Sequence, residues 1–210
     1  MNKDNVFRSS NFHMDEGDEL NMIIIDESGT QISMFLYNVN DSDNPEDGNG
    51  PDIFNDWFLP SKDELNAIYV ELKLFGIGGI DGSPRWSSTE HNATQANMQT
   101  FSDGSQSVAN KDYPIRVRAV RAFTSVMPSY SLRDIGPSGG WIFYKSGDNY
   151  MEAAASDLVI SAWSNIISNV IGAAAQGTAI GTGNTNTTAI IGQLGHTQSA
   201  ALECYNFIVT

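Results

Sequence analysis

Cysteine and histidine are scarce in this chain of 210 residues. Cys204 is the only cysteine, so an internal disulfide is excluded. His13, His91 and His196 lie far apart, and no Cys or His spacing typical of a zinc site occurs. No stretch approaches the ~20 apolar residues that span a bilayer, and residues 1–4 do not open a signal peptide. We therefore expect no cofactor, no metal centre and no membrane insertion.

Basic residues are also few. The chain carries 11 Lys and Arg against 25 Asp and Glu, which gives a formal net charge of −14. Nucleic acids and anionic membranes are bound through basic surfaces, so neither is expected as a partner. The hydrophobic content of 40% and aromatic content of 10% are typical of globular proteins. These values predict one folded domain with an appendage.

Patterns typical of enzymes are missing as well. The glycine-rich residues 75–82 lack the lysine of a phosphate-binding loop and are predicted to form a turn. Asp63 and Glu64 fall in the first turn of a predicted helix, where the helix dipole accounts for acidic side chains. Cys204 lies on the apolar face of a predicted helix over residues 199–207, so we expect a buried thiol. The chain is therefore predicted to be non-enzymatic.

The first fifty residues differ from the rest. Residues 1–20 are polar and predict an extended arm, and residues 21–37 contain two apolar runs around a turn, typical of a β-hairpin. Residues 38–52 read as an acidic linker. A calcium site within residues 41–52 is the alternative, although Pro45 replaces an expected ligand. We assign residues 1–50 to oligomerisation or anchoring and residues 51–210 to the main domain.

The main domain opens with a clear helix signal. Ser61 is followed three residues later by Glu64, which has the form of a capping box and predicts that a helix begins there. Residues 91–113 are rich in Asn, Gln, Ser and Thr and are predicted to form a long polar excursion. Alternating apolar residues in 115–123 then predict a strand.

Seven short motifs carry a resemblance. They are residues 56–65 (DWFLPSKDEL), 86–90 (WSSTE), 101–104 (FSDG), 117–123 (VRAVRAF), 134–144 (DIGPSGGWIFY), 151–154 (MEAA) and 179–185 (AIGTGNT). Together they resemble the C-terminal domain family of collagen-like bacterial adhesins, a former domain of unknown function in the C-type lectin-like clan. In that family the last three motifs precede the first four.

The resemblance implies an α+β fold of the C-type lectin-like type over residues 51–210. Residues 51–123 correspond to the C-terminal half of the family and residues 134–210 to its N-terminal half. The reversed order implies either a circular permutation or a fold completed between neighbouring subunits. We then expect the strand at 115–123 to lie beside residues 140–144.

Further elements are predicted from local pattern. Two strands joined by a turn are expected around residues 139–154, and short helices over residues 187–194 and 199–207. Trp57, Trp86 and Trp141 are expected in the core, although a tryptophan can also stack on a sugar.

The polar excursion supplies the candidate ligand-binding residues. In similar lectin-like proteins the segment before the VRAVR motif forms the ligand-facing surface, and amides and hydroxyls suit sugars or polar protein surfaces. The candidates are Asn92, Gln95, Asn97, Gln106, Asn110 and Tyr113.

The resemblance implies an attachment or receptor-binding protein of a phage virion, of the tail-fibre, head-fibre or decoration type. Its expected partner is a host cell-surface glycan or protein. Residues 1–50 are expected to form a homotrimer and to contact other virion proteins. The alternative is a purely structural virion or assembly component that binds no ligand.

Overall fold

The computed structural model describes residues 21–25, 31–35, 53–126 and 129–210. It divides the chain into two compact units, residues 1–52 and residues 53–210. The strands are β1 Asn21–Ile25, β2 Gln31–Phe35, β3 Pro84–Glu90, β4 Gln95–Thr100, β5 Gln106–Asn110, β6 Ile115–Arg116, β7 Val120–Thr124, β8 Trp141–Ser146, β9 Asn149–Ala153 and β10 Ile160–Ser161. The α-helices are α1 Lys62–Glu71, α2 Gly183–Ile191 and α3 Ala200–Tyr205.

In the first unit, β1 and β2 pair antiparallel, with Asn21 opposite Phe35 and Ile25 opposite Gln31. This pairing confirms the strands of the predicted hairpin. The predicted arm over residues 1–20, the turn between the strands and the acidic linker lie outside the described residues.

Helix α1 begins as the sequence predicts. The Ser61 hydroxyl accepts from the Glu64 backbone N–H at 3.3 Å, and the Ser61 N–H donates to Glu64 Oε2 at 2.7 Å. Glu64 Oε1 also accepts from the Gly181 N–H at 2.7 Å. The capping glutamate therefore fastens α1 to the second half of the domain. The glycine-rich segment after the helix forms turns, as expected.

The polar excursion of residues 91–113 contains two strands, which the sequence did not predict. It folds into the antiparallel strands β4 and β5, at one end of a five-stranded sheet with the order β10-β6-β3-β4-β5. The physical reason is that Ala96, Met98 and Ala109 alternate with the amides and pack towards the core. Such small or isolated apolar side chains give a weak strand signal in a mostly polar segment.

The predicted closing strand is also corrected. Residues 115–123 divide between β6, in the five-stranded sheet, and β7, in a three-stranded sheet with the order β7-β9-β8. Strand β7 does not pair with β8, because β9 lies between them. Between β6 and β7 the backbone changes partners: Val117 bonds to residues 158 and 159, whereas the Ala119 carbonyl accepts from the Ala154 N–H. Arg118, between them, is buried, and its Nε donates to Asp157 Oδ1 at 2.8 Å.

Two apolar clusters form the core of residues 53–210. One contains Trp57, Trp86, Trp163 and Cys204, and the other contains Phe58 and the buried side chains of α1. Trp57 and Trp86 are buried as predicted, whereas Trp141 is only partly buried against the second cluster. The two predicted C-terminal helices are present as α2 and α3, with bounds shifted by a few residues.

The second unit is thus a mixed α+β structure, as expected, with two sheets and three short α-helices in its described part. No helix in the described ranges is long and apolar enough to cross a membrane.

Candidate recognition groove

A groove of about 490 Å³ lies where β4 and β5 meet the segment leading to β6. Its lining contains three of the six predicted binding residues, Gln95, Asn110 and Tyr113. The other lining residues are Pro84, Met98, Val108, Ala109, Pro114 and Ile115. The groove therefore combines an apolar lining with amide-bearing residues and an aromatic side chain at its border.

Tyr113 presents its ring to solvent from a well-anchored turn. Its side chain is 53% exposed, and its N–H donates to the Asn110 carbonyl at 3.0 Å. Two residues before it, the Lys111 N–H donates to the Thr94 carbonyl at 2.9 Å, and the Lys111 carbonyl accepts from the Trp163 N–H at 2.8 Å. These bonds fix the backbone on which Tyr113 stands.

A buried ion pair reinforces this turn. Lys111 Nζ lies 2.7 Å from Glu90 Oε1, and both side chains are fully buried. Glu90 also accepts from the backbone N–H groups of Ile171 and Gly172, at 2.9 to 3.0 Å. Lys111 further contacts the ring of Trp163, with Nζ 4.8 Å from the ring centroid. The positive charge of Lys111 is therefore neutralised inside the fold and is not presented to a ligand.

Asn92, Asn97 and Gln106 use their amides within the chain and do not line the groove. Asn92 Oδ1 accepts from the N–H groups of Thr94 and Gln95, both at 2.9 Å, and so closes the turn before β4. Asn97 Nδ2 donates to the Thr89 carbonyl at 3.0 Å, and Gln106 Nε2 donates to the Lys62 carbonyl at 3.0 Å. Their assignment to a ligand stays a prediction.

Sequence reasoning missed the apolar part of the groove. Pro84, Met98 and Ile115 come from three different strands and lie close only because β3 pairs with both β4 and β6. Their sequence separation gives no local signal. The register of β3 with β4, which places Pro84 opposite Thr100, was the information required.

A second polar cluster lies in the three-stranded sheet. Six buried side-chain polar atoms find no hydrogen-bond partner within the described residues, and four of them belong to Arg121, Ser138 and Glu152. Burial raises the pKa of Glu152 to about 7, and the Arg121 guanidinium partly opposes this effect. The backbone amides of Ser138 and Gly140 also lower that pKa in part, although neither carboxylate oxygen accepts a well-formed hydrogen bond.

Glu152 is nevertheless poorly placed for catalysis. Its side chain is fully buried. The loop of residues 136–140 covers it so closely that a Cβ on Gly136 would overlap Glu152 Oε2. A general acid or base must come within hydrogen-bonding distance of its substrate, and this carboxylate cannot.

The candidate nucleophiles have structural explanations. Cys204 is fully buried, which confirms the sequence prediction, and burial raises the pKa of its thiol. A buried neutral thiol is a poor nucleophile. The Ser199 hydroxyl contacts His196 Nε2 at 2.9 Å, but it is buried and accepts from the Leu202 N–H as the cap of α3.

No group of three or more His, Cys, Asp or Glu side chains suited to a metal ion occurs among the described residues. The acidic segment of residues 41–52, for which a calcium site was the alternative, lies outside them.

The groove at Tyr113 is thus the surface of the described fold on which predicted binding residues converge. Comparison of the chain with protein-family models, with curated protein sequences and with solved structures gave no match.

Proposed function

We propose that this chain is a non-enzymatic attachment protein that recognises a host cell-surface glycan or protein through the groove at Tyr113. The observation that carries the proposal is the exposed Tyr113 ring beside an apolar lining and two amide-bearing residues, Gln95 and Asn110. Small ligand sites commonly combine such a lining with a few polar groups. An aromatic ring with a polar tip can contact both an apolar and a hydrated ligand surface.

The sequence resemblance supports placing the protein in a phage virion, as a tail-fibre, head-fibre or decoration component. It also supports a C-type lectin-like fold with its halves in reversed order. Under a permutation, β7 and β8 come from opposite halves of the family and share one sheet through β9, which keeps the two halves in contact.

We further propose that the protein is a homotrimer held by residues 1–50, which also contact other virion proteins. An isolated two-stranded hairpin such as β1–β2 is only marginally stable, so further burial against other copies would stabilise it. Light scattering of the full chain and of a variant lacking residues 1–50 tests this. The same number of subunits per particle in both proteins would contradict it.

The groove is tested by binding. We expect Tyr113→Ala to weaken binding of the full chain to a bacterial glycan array or to immobilised host cell-surface protein by about tenfold or more. Tyr205→Ala is the matched control, because Tyr205 is similarly exposed, at 58%, but does not line the groove.

Equal binding by the two variants would place recognition elsewhere. If the parent chain binds neither type of probe, the attachment function fails and the alternative, a purely structural virion component, is favoured.

A further inference from the structure

Among the described residues, strand β5 lies at the edge of its sheet and has backbone groups without a hydrogen-bond partner. The ladder with β4 is bounded by the bonds from the Thr100 N–H to the Ser105 carbonyl and from the Lys111 N–H to the Thr94 carbonyl. In an antiparallel pair, residues alternate between facing the partner strand and facing away. The backbone N–H and C=O groups of Gln106 and Val108 and the N–H of Asn110 therefore point away from β4.

Strand β5 itself lacks three features that commonly prevent strand addition, namely proline, charged side chains and a β-bulge. Within Gln106–Asn110 there is no proline and no charged side chain, and the register with β4 runs without a bulge. Soluble proteins commonly protect exposed edges with such features. By contrast, the strand at the other edge, β10, has two residues. An unprotected edge of five residues can accept an extended peptide as a further strand.

The groove adjoins this edge. Val108, which is 36% exposed, and Asn110 lie on the edge strand and also line the groove, beside Met98 and Ala109. An added strand would thus have backbone bonds from β5 and an apolar pocket for one of its side chains.

The charges around the edge determine which peptide fits. Asp103 and Asp112 are exposed, one before and one after β5, whereas the cation of Lys111 is buried against Glu90. If a second copy paired β5 with β5 about Val108, its Asp103 would lie next to Asp112. Like charges in that position are unfavourable, so the edge suits a basic partner better than another copy of this chain.

We propose that β5 binds an extended segment of a partner protein as an added antiparallel strand. The partner segment has an apolar side chain for the groove and basic residues at its ends. This proposal rests on the recognition role of the groove, and it selects a protein partner over a glycan. Main-chain bonds supply affinity in this mode, while the groove and the two aspartates supply specificity.

The test uses fluorescent synthetic peptides of about ten residues, the length of a long strand, with alternating Val and Thr. One peptide ends in Lys pairs, a second ends in Glu pairs, and a third carries Lys ends with a central Pro. The full chain is expected to bind the first peptide and to bind the second and third at least about tenfold more weakly. Amide exchange should slow at Gln106, Val108 and Asn110.

Val108→Pro is the decisive variant, because it removes an outward N–H without removing a bond to β4, and proline is tolerated at such edge positions. It should lose the Lys-ended peptide. Val108→Thr keeps the N–H but changes the side chain that lines the groove, so it should bind the peptide more tightly than Val108→Pro does. Asp112→Asn should weaken binding of the Lys-ended peptide. The difference from the parent chain should become smaller as salt is added, because salt screens exposed charges. The thermal unfolding of each variant shows whether it is folded.

Two results would overturn the proposal. One is that the full chain does not bind the Lys-ended peptide at millimolar concentration. The other is that folded Val108→Pro binds this peptide as tightly as the parent chain does. If glycan binding nevertheless depends on Tyr113, the strand-addition proposal fails while the recognition role of the groove stands. If Tyr113→Ala changes binding of neither a glycan nor a peptide, the recognition role itself fails.

Discussion

Glu90 and Glu152 are both fully buried glutamates on strands, but they differ in what surrounds them. Glu90 pairs with Lys111 at 2.7 Å and accepts backbone N–H groups from the segment around Ile171. The nearest cationic atom to Glu152 is Arg121 Nη1, at 3.9 Å, and both of its oxygens lack a hydrogen-bond partner among the described residues.

The difference separates a region whose buried charges are paired from one with an unpaired buried carboxylate. A satisfied buried pair strongly resists the loss of either charge, so the turn that carries Tyr113 has a stable base. An unsatisfied buried carboxylate favours its neutral form, so the three-stranded sheet should respond to pH near neutrality. The candidate recognition surface is thus built on the region whose buried charges are paired.

The largest expected effect comes from breaking the satisfied pair. Lys111→Met leaves the Glu90 charge buried without its cation, and we expect the free energy of unfolding to fall by about 3–5 kcal/mol. Urea unfolding at neutral pH measures this. The double variant Lys111→Met with Glu90→Gln should recover much of the loss, because no charge then remains buried there. A loss under about 1 kcal/mol in the single variant, as for an exposed pair, would contradict the comparison.

The unsatisfied carboxylate should make stability depend on pH. Because the pKa of Glu152 is raised from 4.5 to about 7, the folded chain binds this proton more tightly than the unfolded chain does. The Glu152 contribution to the free energy of unfolding therefore falls as pH rises from 4.5 to about 7, by up to roughly 3 kcal/mol, and is level above that.

Glu152→Gln should abolish this fall, since glutamine stays neutral. The charged groups that act on Glu152 are Arg121 on β7 and Asp56 before α1, and both remain in the variant. Unfolding titrations across this pH range measure the slope, with exposed Asp148→Asn as a control that keeps it. The same slope in Glu152→Gln as in the parent chain would show that Glu152 titrates normally.

The glycine loop over Glu152 provides a smaller effect. A Cβ on Gly140 would overlap the Ala153 carbonyl oxygen and would lie 3.0 Å from Glu152 Oε1. The backbone must shift to admit it, so we expect Gly140→Ala to lower the free energy of unfolding by about 1–3 kcal/mol. Gly192→Ala, at the end of α2 with φ −72, should cost less than about 1 kcal/mol. Equal costs measured by urea unfolding would mean that the loop is not tightly packed.

Features that depend on local pattern could be predicted from the sequence. The helix start at Ser61 was predictable, because a capping box is a local pattern of side chain and backbone. The strands of the N-terminal hairpin and the burial of Cys204 followed in the same way from local hydrophobic pattern. The mixed α+β class was expected from the sequence resemblance.

Long-range features could not be predicted in this way. The Glu90–Lys111 and Arg121–Glu152 contacts join residues far apart in sequence, and nothing local distinguishes these side chains from exposed ones. The placement of β9 between β7 and β8 is likewise a matter of tertiary pairing. Composition indicated the segment that contributes to the groove. It could not show which of its amides bond within the chain and which line the groove, because this depends on the register of β4 with β5.

The smallest expected change in stability concerns Tyr113, which lies two residues after Lys111. Its N–H donates to the Asn110 carbonyl, but the residue is 53% exposed and its side chain makes no hydrogen bond within the described residues. Tyr113→Ala should therefore change the free energy of unfolding by no more than about 0.5 kcal/mol. The loss expected for Lys111→Met is about 3–5 kcal/mol. Paired urea unfolding curves of the two variants measure the contrast. A loss of about 2 kcal/mol or more in Tyr113→Ala would mean that the ring supports the fold, and reduced binding by that variant would then no longer locate the recognition surface.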